Sequence, residues 1–329
     1  MRENVGAVEI ANFAKHQFRG PGARAFLDHL MAGTIPKPGR ITLNPMLSPK
    51  GKLYGDLTVA CLGEEDFLIL GSGAAQEMHR RWFEKHLDSH DVRYSNESSR
   101  LHGFAISGPK SRELLSRISR DDVSAAALKF RDIRRTFVGG VPAILTRLSF
   151  SGELGYEIYV APEYLLKLYE TMIEAGEDLG LKLYGARALM SLRLEKNWGA
   201  WTLDFRPDFT PAESGLDIFI NWDKAFIGKQ AAMQEREAGP QKRLVTMTLD
   251  TQDIDVSNDE AILKDGECVG YVTSGGYAHT VKKSMALGYV PTDLAVADTD
   301  LEVEINGEMY AARVIDKPLY DPDGEKMRG

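Results

Sequence analysis

Cysteine is almost absent from the chain: Cys61 and Cys268 are the only two among 329 residues. Two thiols give no disulfide framework and no paired metal-ligand spacing, so both are expected as small core residues in a reducing, cytoplasmic setting. Long apolar runs are missing too. None approaches the ~18 residues that a membrane span needs, and the N-terminal MRENVGAVEIANFAKHQF has no continuous apolar segment of the secretory kind. Charge of one sign never collects in a block, although 48 acidic against 40 basic residues leave the net charge at −8. That balance argues against nucleic acid or an anionic membrane as the main partner. There is no Gly-x-Ser-x-Gly elbow, and neither cysteine has a basic partner in the sequence, so nucleophilic hydrolase chemistry has no foothold.

What the chain does have is enough apolar content, 43%, to bury a sizeable core over two or three domains. The most informative stretch is ITLNPMLSPKGKLYGDLTVACLGEEDFLILGSG, residues 41–73. It reads as three strands, Ile41–Leu47, Leu53–Leu62 and Phe67–Leu70, separated by Ser-Pro-Lys-Gly and Gly-Glu-Glu-Asp turns. The middle strand alternates Leu53, Gly55, Leu57 and Val59 with Tyr54, Asp56, Thr58 and Ala60. Asp56 therefore sits in mid-strand, where a carboxylate is a poor fit. Either that face is solvated, or Gly55 admits a ligand and Asp56 meets a cationic or proton-bearing group.

A strand-turn-helix unit, Lys15–Arg19 followed by Gly20-Pro21 and a helix to Met31, recurs 88 residues later as Phe104–Ser107, Gly108-Pro109 and Ser111 onward, with Arg24 matching Arg112. The repeat suggests two related α+β subdomains. Helical patterns cover Gln76–Leu87, Pro162–Gly180 and about Ala186–Lys196, and residues 137–148 read as a hairpin. From Arg243 onward short strands dominate, and Asp265-Gly266 and Asn306-Gly307 are two-residue hairpin signals. The expected end piece is a small barrel or Greek key.

Four further features could carry chemistry. Gly71-Ser72-Gly73 lies between a strand and a helix but fails the dinucleotide pattern at Gln76, which leaves a turn where a ligand could near the backbone. His86 and His90 stand four apart without the glutamate of a zincin, so no metal site is expected. In Gly152-Glu153-Leu154-Gly155-Tyr156-Glu157, the carboxylates are surface groups or else one accepts a pair of N–H bonds from a heterocycle, with Tyr156 and Glu157 on opposite faces. Arg187 opens a helix, either exposed or as part of an anion site.

The strand LYGDLTV, the motif SFSGELGYEIYV, the helix GARALMSLRLEKNW and the end VGYVTSGGYAHTVKKSMALGYV…PLYDPDGEKMRG together resemble the folate-binding half of the dimethylglycine and sarcosine dehydrogenases. More distantly they are similar to the glycine-cleavage T-protein, an aminomethyltransferase. The resemblance implies an α+β fold, a three-domain cloverleaf around a central folate channel. Two related ferredoxin-like α+β domains would comprise residues 1–13 with 102–238, and 14–101, with a β-barrel at 239–329. It further implies Asp56 beside the reacting edge of tetrahydrofolate, Glu157 on the pteridine ring, and Phe150 and Tyr156 close by. Arg187 would lie towards the glutamate tail, and Ser72 and Leu43 at ligand-contact positions. Leu43 stands where the family usually has Tyr, and Phe150 where some members have Tyr, so a ring contact and a hydrogen bond are each in doubt. The chain is also expected to be short of the family pattern at its N-terminus and to carry no flavin site.

On this resemblance the expected reaction is tetrahydrofolate-dependent one-carbon transfer, capturing the iminium made by a flavoprotein dehydrogenase chain from a dimethylglycine- or sarcosine-like amine. The product would be 5,10-methylene-tetrahydrofolate. The alternatives are a direct folate-dependent demethylase acting on a methylated amine or sulfonium donor, like dimethylsulfoniopropionate demethylase, and a non-catalytic folate-binding module. No metal, nucleic acid or membrane enters any of the three.

Overall fold

The computed structural model describes residues 1–87 and 91–329, and their contacts divide the chain into two compact units. Unit 1 comprises Met1–Asn44, Leu57–Ala186 and Gly324–Gly329; unit 2 comprises Pro45–Asp56 and Arg187–Asp323.

The strands and helices in chain order are β1 (Gly6–Glu9), β2 (Ala14–Arg19), α1 (Ala23–Leu30), β3 (Arg40–Leu47), β4 (Leu53–Gly63), β5 (Asp66–Gly71), α2 (Gln76–Lys85), β6 (Arg93–Asn96), β7 (His102–Ser107), α3 (Ser111–Ile118), β8 (Ile133–Val138), β9 (Val141–Thr146), β10 (Gly155–Val160), α4 (Leu165–Gly176), β11 (Lys182–Leu183), α5 (Ala186–Leu194), α6 (Pro211–Ser214) and α7 (Lys229–Ala238). After these come β12 (Lys242–Leu249), β13 (Ala261–Lys264), β14 (Glu267–Ala278), β15 (Lys283–Pro291), β16 (Asp300–Ile305) and β17 (Glu308–Ile315).

Strands β11-β1-β7-β10-β9-β8 form a six-stranded sheet, and β3-β4-β5-β2-β6 a five-stranded one. Within unit 1 the two sheets share an apolar layer. Val8, Ile10, Ile133, Ile144 and Tyr159 of the first meet Ile41, Ala60, Leu68 and Leu70 of the second. The outer face of the six-stranded sheet is covered by α3 and α4 through Leu114, Leu115, Leu168 and Met172.

The repeat seen in the sequence is a structural one. Strand β2 and helix α1 map onto β7 and α3 at the same 88-residue spacing, end to end. Gly20 and Gly108 hold φ of 123° and 126°, a region L side chains avoid, and a Cβ would press on the Asp91 carbonyl at 2.8 Å in one copy and on the Asn4 carbonyl at 2.5 Å in the other. Further on, β5 and α2 answer β10 and α4, so Leu68 and Leu70 occupy the places of Glu157 and Tyr159.

In unit 2 the barrel closes through β12, which pairs with β15 on one side and β17 on the other. Asp265-Gly266 has φ of 52° and 81°, and Asn306-Gly307 has 53° and 87°. These are the consecutive positive values of a two-residue hairpin turn, as the dipeptides predict. Ahead of the barrel, Arg193 and Asp204 form a buried ion pair at 2.5 Å, and the same carboxylate accepts from Thr273, Ser274 and the Ala200 amide. Those donors and the opposite charge are what make a buried carboxylate tolerable.

Several expectations change at their edges. The helix at Pro162 opens with a 3-10 turn and its α part ends at Gly176, and the next helix stops at Leu194. Cys61 is buried in β4, but Cys268, near the start of β14, is exposed. The His86–His90 pair cannot be followed, since His90 lies outside the described residues. Among those residues no cluster of metal-ligating side chains forms, and no helix is long and apolar enough to cross a membrane.

His16 sits in an aromatic box of Phe83, Tyr94 and His79, fully buried, its Nδ1 2.9 Å from the Tyr94 hydroxyl. Burial, then the neighbouring His79, lowers its pKa from 6.5 to about 3. A depressed histidine leaves the folded chain short of a proton that the unfolded chain binds, so stability falls as pH drops below 6.5 towards 3. Denaturant titrations should lose on the order of 2–4 kcal/mol between pH 7 and pH 4 from this residue alone. His16→Gln should flatten the curve; an unchanged acid slope in that variant would remove His16 as its source.

Candidate functional site

Each candidate residue owes its position to strand register. On the face of the six-stranded sheet turned to its partner sheet, Val8, Ala105, Glu157, Thr146 and Ile133 stand in one cross-strand row. A glutamate in the middle of such a row interrupts an otherwise apolar layer. Tyr159 donates to Glu157 Oε2 at 2.8 Å, and Thr146 donates to the same oxygen at 3.5 Å. Neither bond uses Oε1. The carboxyl keeps some solvent access while protein surrounds it, and burial pushes its pKa up. The Tyr159 and Thr146 bonds and the positive charge of Lys15 pull the other way. The result is a braced carboxylate with one oxygen left to accept from a ligand.

Tyr156 points the other way. It is wholly buried against Leu114, Leu115 and Met172, with its hydroxyl accepting from Arg112 Nε at 3.1 Å. Adjacent strand residues face opposite sides, so Tyr156 packs the helical layer and is not retained as a ligand contact. Phe150, half-buried, lies in the loop between β9 and β10, and Leu43, half-buried, lies in β3. Ser72 precedes a short 3-10 turn with its hydroxyl not engaged in capping. The glycine after it is compulsory, because a Cβ on Gly73 would fall 1.9 Å from the Asn12 carbonyl. Glu157, Phe150, Leu43 and Ser72 all belong to unit 1.

Asp56 and Arg187 belong to unit 2. Asp56 lies on the same side of β4 as Tyr54 and Thr58. The lower part of β4 is fixed by the Leu53 amide donating to the Phe209 carbonyl at 2.8 Å. The turn before it is fixed by Gly51, whose Cβ would lie 2.8 Å from the Ala232 amide nitrogen. Asp56 is half-buried by surface yet densely surrounded, and burial raises its pKa from 3.8 to about 7, opposed only by a bond to its own backbone amide. A carboxyl of that pKa holds and releases a proton at neutral pH, as general acid–base work requires. Arg187 is the second residue of α5 and is exposed.

One buried group of unit 1, Lys15, escaped the sequence reading, and another, Glu153, was open there to a surface place. Lys15 and Glu153 are both buried, at 0% and 2% exposure. The alternation of β2 puts Lys15 with Gln17 and Arg19, a pattern that reads as a polar face, and its place opposite apolar Leu70 comes only from the pairing with β5. Glu153 lies in an irregular loop that offers no period to read.

Comparison with known proteins agrees with the fold. The family described as the GCVT N-terminal domain matches residues 1–224, and the glycine cleavage T-protein C-terminal barrel domain matches 242–321. Mitochondrial dimethylglycine dehydrogenase from Homo sapiens is 36% identical over 96% of this chain, which spans 37% of that protein. The 4-methylaminobutanoate oxidase (formaldehyde-forming) of Paenarthrobacter nicotinovorans is 32% identical over all of this chain and 40% of its own length. An aminomethyltransferase from Desulfitobacterium hafniense is 28% identical over 98% of this chain and 89% of its own length. The crystal structure of aminomethyltransferase T from Bartonella henselae superposes with a TM-score of 0.89 over 98% of this chain and 88% of that one, at 23% identity, and so shares the fold. The chain thus spans about two-fifths of the length of the oxidising relatives it matches.

The raised pKa of Asp56 has a consequence for stability. The folded chain favours the protonated acid, so the cost of ionising it enters above pH 3.8 and is complete above about 7. Asp56→Asn should therefore stabilise the chain by on the order of 1–2 kcal/mol at pH 8, allowing for partial exposure, and not at pH 4. A melting-temperature gain equal at both pH values would show that the carboxyl is not strained by ionisation.

Proposed function

The chain belongs to the glycine-cleavage T-protein family of aminomethyltransferases, and from that premise we propose that it transfers a one-carbon unit from a dimethylglycine- or sarcosine-like amine to tetrahydrofolate, giving 5,10-methylene-tetrahydrofolate. The observation that carries the reading is Asp56, a mid-strand acid whose proton is exchangeable near pH 7. A flavoprotein dehydrogenase, on another chain or another part of a longer one, would supply the oxidised donor.

The residues present suit a reduced pterin. Glu157 offers an acceptor oxygen to the ring's N–H groups, with Oε2 braced by Tyr159. Phe150 offers a ring face for stacking, and Arg187 a guanidinium for the carboxylates of the tail. Ser72 and Leu43, in unit 1 with Glu157 and Phe150, offer a hydroxyl and an apolar contact. Tetrahydrofolate, when bound, supplies the nucleophilic amine that receives the one-carbon unit. Asp56 as carboxylate stabilises the cationic iminium of the donor, accepts the proton that the attacking amine loses, and returns it to the donor nitrogen as its bond to the transferred carbon breaks and the demethylated amine leaves. Holding donor and acceptor together raises their effective molarity and keeps formaldehyde from escaping. A direct demethylase, taking the methyl group of an amine or sulfonium donor without oxidation, would use the same residues and yield 5-methyl-tetrahydrofolate. Mass spectrometry of the folate product separates the two.

Asp56→Ala should leave the dissociation constant for tetrahydrofolate within about threefold while lowering methylene transfer by ~10²-fold or more. Transfer at the wild-type rate would take Asp56 out of the mechanism. Glu157→Ala should weaken tetrahydrofolate binding by roughly ten- to a hundredfold in calorimetry, the effect of losing a charged hydrogen-bond acceptor. An unaltered constant would refute its role.

A further inference from the structure

Lys15 has no part in the chemistry above and is hard to explain as packing. It is fully buried, a rare state for a lysine without an ionic partner. Its ammonium donates to the main-chain carbonyls of Ile10 at 3.2 Å and Ala11 at 2.8 Å. Among the described residues no carboxylate stands within ion-pair distance of it. The anion that acts on it most is Glu157, with Glu9 behind, and the Tyr159 ring that carries the Glu157 hydrogen bond lies 5.8 Å from Nζ. A neutral donor could also reach two carbonyls, and no carboxylate pairs directly with the ammonium, so the charge calls for a separate account. Burial lowers the Lys15 pKa to about 8, which leaves the cation intact at pH 7.

We propose that Lys15 is a positioning residue for Glu157: seated on the Ile10 and Ala11 carbonyls, its ammonium keeps the carboxylate ionised and ready to accept N–H bonds from a pteridine. The inference rests on the assignment of Glu157 to the pterin. The groups that face this carboxylate from the surrounding elements are Thr146 of β9, Tyr159 of β10, Lys15 of β2 and the Tyr184 phenol beyond β11. Glu9 of β1 acts on Lys15, and Arg2 acts on Tyr184. Among the groups acting directly on Glu157, Lys15 is the one cation. Without it the carboxyl would hold its proton to higher pH, and a protonated acid is a weaker acceptor.

The test is tetrahydrofolate affinity measured anaerobically by calorimetry from pH 6 to 9 in four proteins: wild type, Lys15→Gln, Glu157→Gln and the double variant. Glutamine keeps a donor for the two carbonyls and removes the charge. Lys15→Gln should bind about tenfold more weakly at pH 6.5 and return to within about threefold of wild type at pH 9. In the Glu157→Gln background the same change should have no further effect, because a residue acting through another loses its influence when that other is removed. An equal loss at all pH values and in both backgrounds would make Lys15 a structural peg and overturn the proposal, as would wild-type affinity in Lys15→Gln. Lys15→Arg, which keeps the cation, should follow the wild-type profile if Lys15→Gln proves too unstable to measure; a pH-dependent loss there too would count against the proposal. Unchanged affinity in Glu157→Gln alone would strike instead at the assignment of Glu157 to the pterin.

Discussion

An apolar layer between two sheets excludes charge, and in this chain that layer contains a carboxylate and an ammonium. Ionised groups in such a place cost several kcal/mol each unless hydrogen bonds and an opposite charge offset them. Glu157 has two hydroxyl donors on one of its oxygens and Lys15 has two carbonyls, and neither is neutralised by direct contact. The arrangement sacrifices the stability that apolar side chains would give there and retains charge inside the layer. The rest of unit 1 holds that row in place: β7 and β9 flank Glu157, and α3 and α4 cover the back of the sheet.

The internal repeat shows which part of the layer is exceptional. At the positions answering Glu157 and Tyr159, the five-stranded sheet carries Leu68 and Leu70, ordinary core residues. Both copies keep the same strand, the same left-handed glycine and the same helix, so the backbone frame has not changed while the side chains have. Arg24 and Arg112 hold corresponding places too. One lies 5.1 Å over the Phe67 ring, and the other donates to the Tyr156 hydroxyl. A scaffold duplicated in this way can turn one copy to chemistry and leave the other as support.

Much of this was legible in the residues. The three strands around Asp56, the duplicated Gly-Pro turn and the two hairpins of the barrel are local signals, set by period-two alternation and by backbone angles that few residues adopt. Asp56 stood out because an acid in mid-strand violates a local rule, and the structure gives it the perturbed pKa such violations often signal. Tyr156 and Glu157 are neighbours in the family motif, and the strand turns them to opposite faces, Tyr156 into the core beneath α3 and α4. Lys15 gives no local signal, because its burial depends on a second sheet brought in from far along the chain, and no window of sequence contains that information. The closure of the barrel through β12 and β17 is non-local in the same way.

Strand β1 pairs with β7, and Val8 is matched to Ala105, about 100 residues further along. During synthesis at 5–20 residues per second, β1 would therefore leave the ribosome on the order of 5–20 s before its partner exists. In that interval β2 to β6, which pair among themselves in the five-stranded sheet, can be made and assembled. The nascent chain would carry GAVE as an unpaired edge beside a finished neighbour, a short strand whose terminal glutamate is a modest guard against pairing with another chain. High contact order of this kind predicts slow refolding in which the five-stranded sheet gains protection against hydrogen exchange before the six-stranded one.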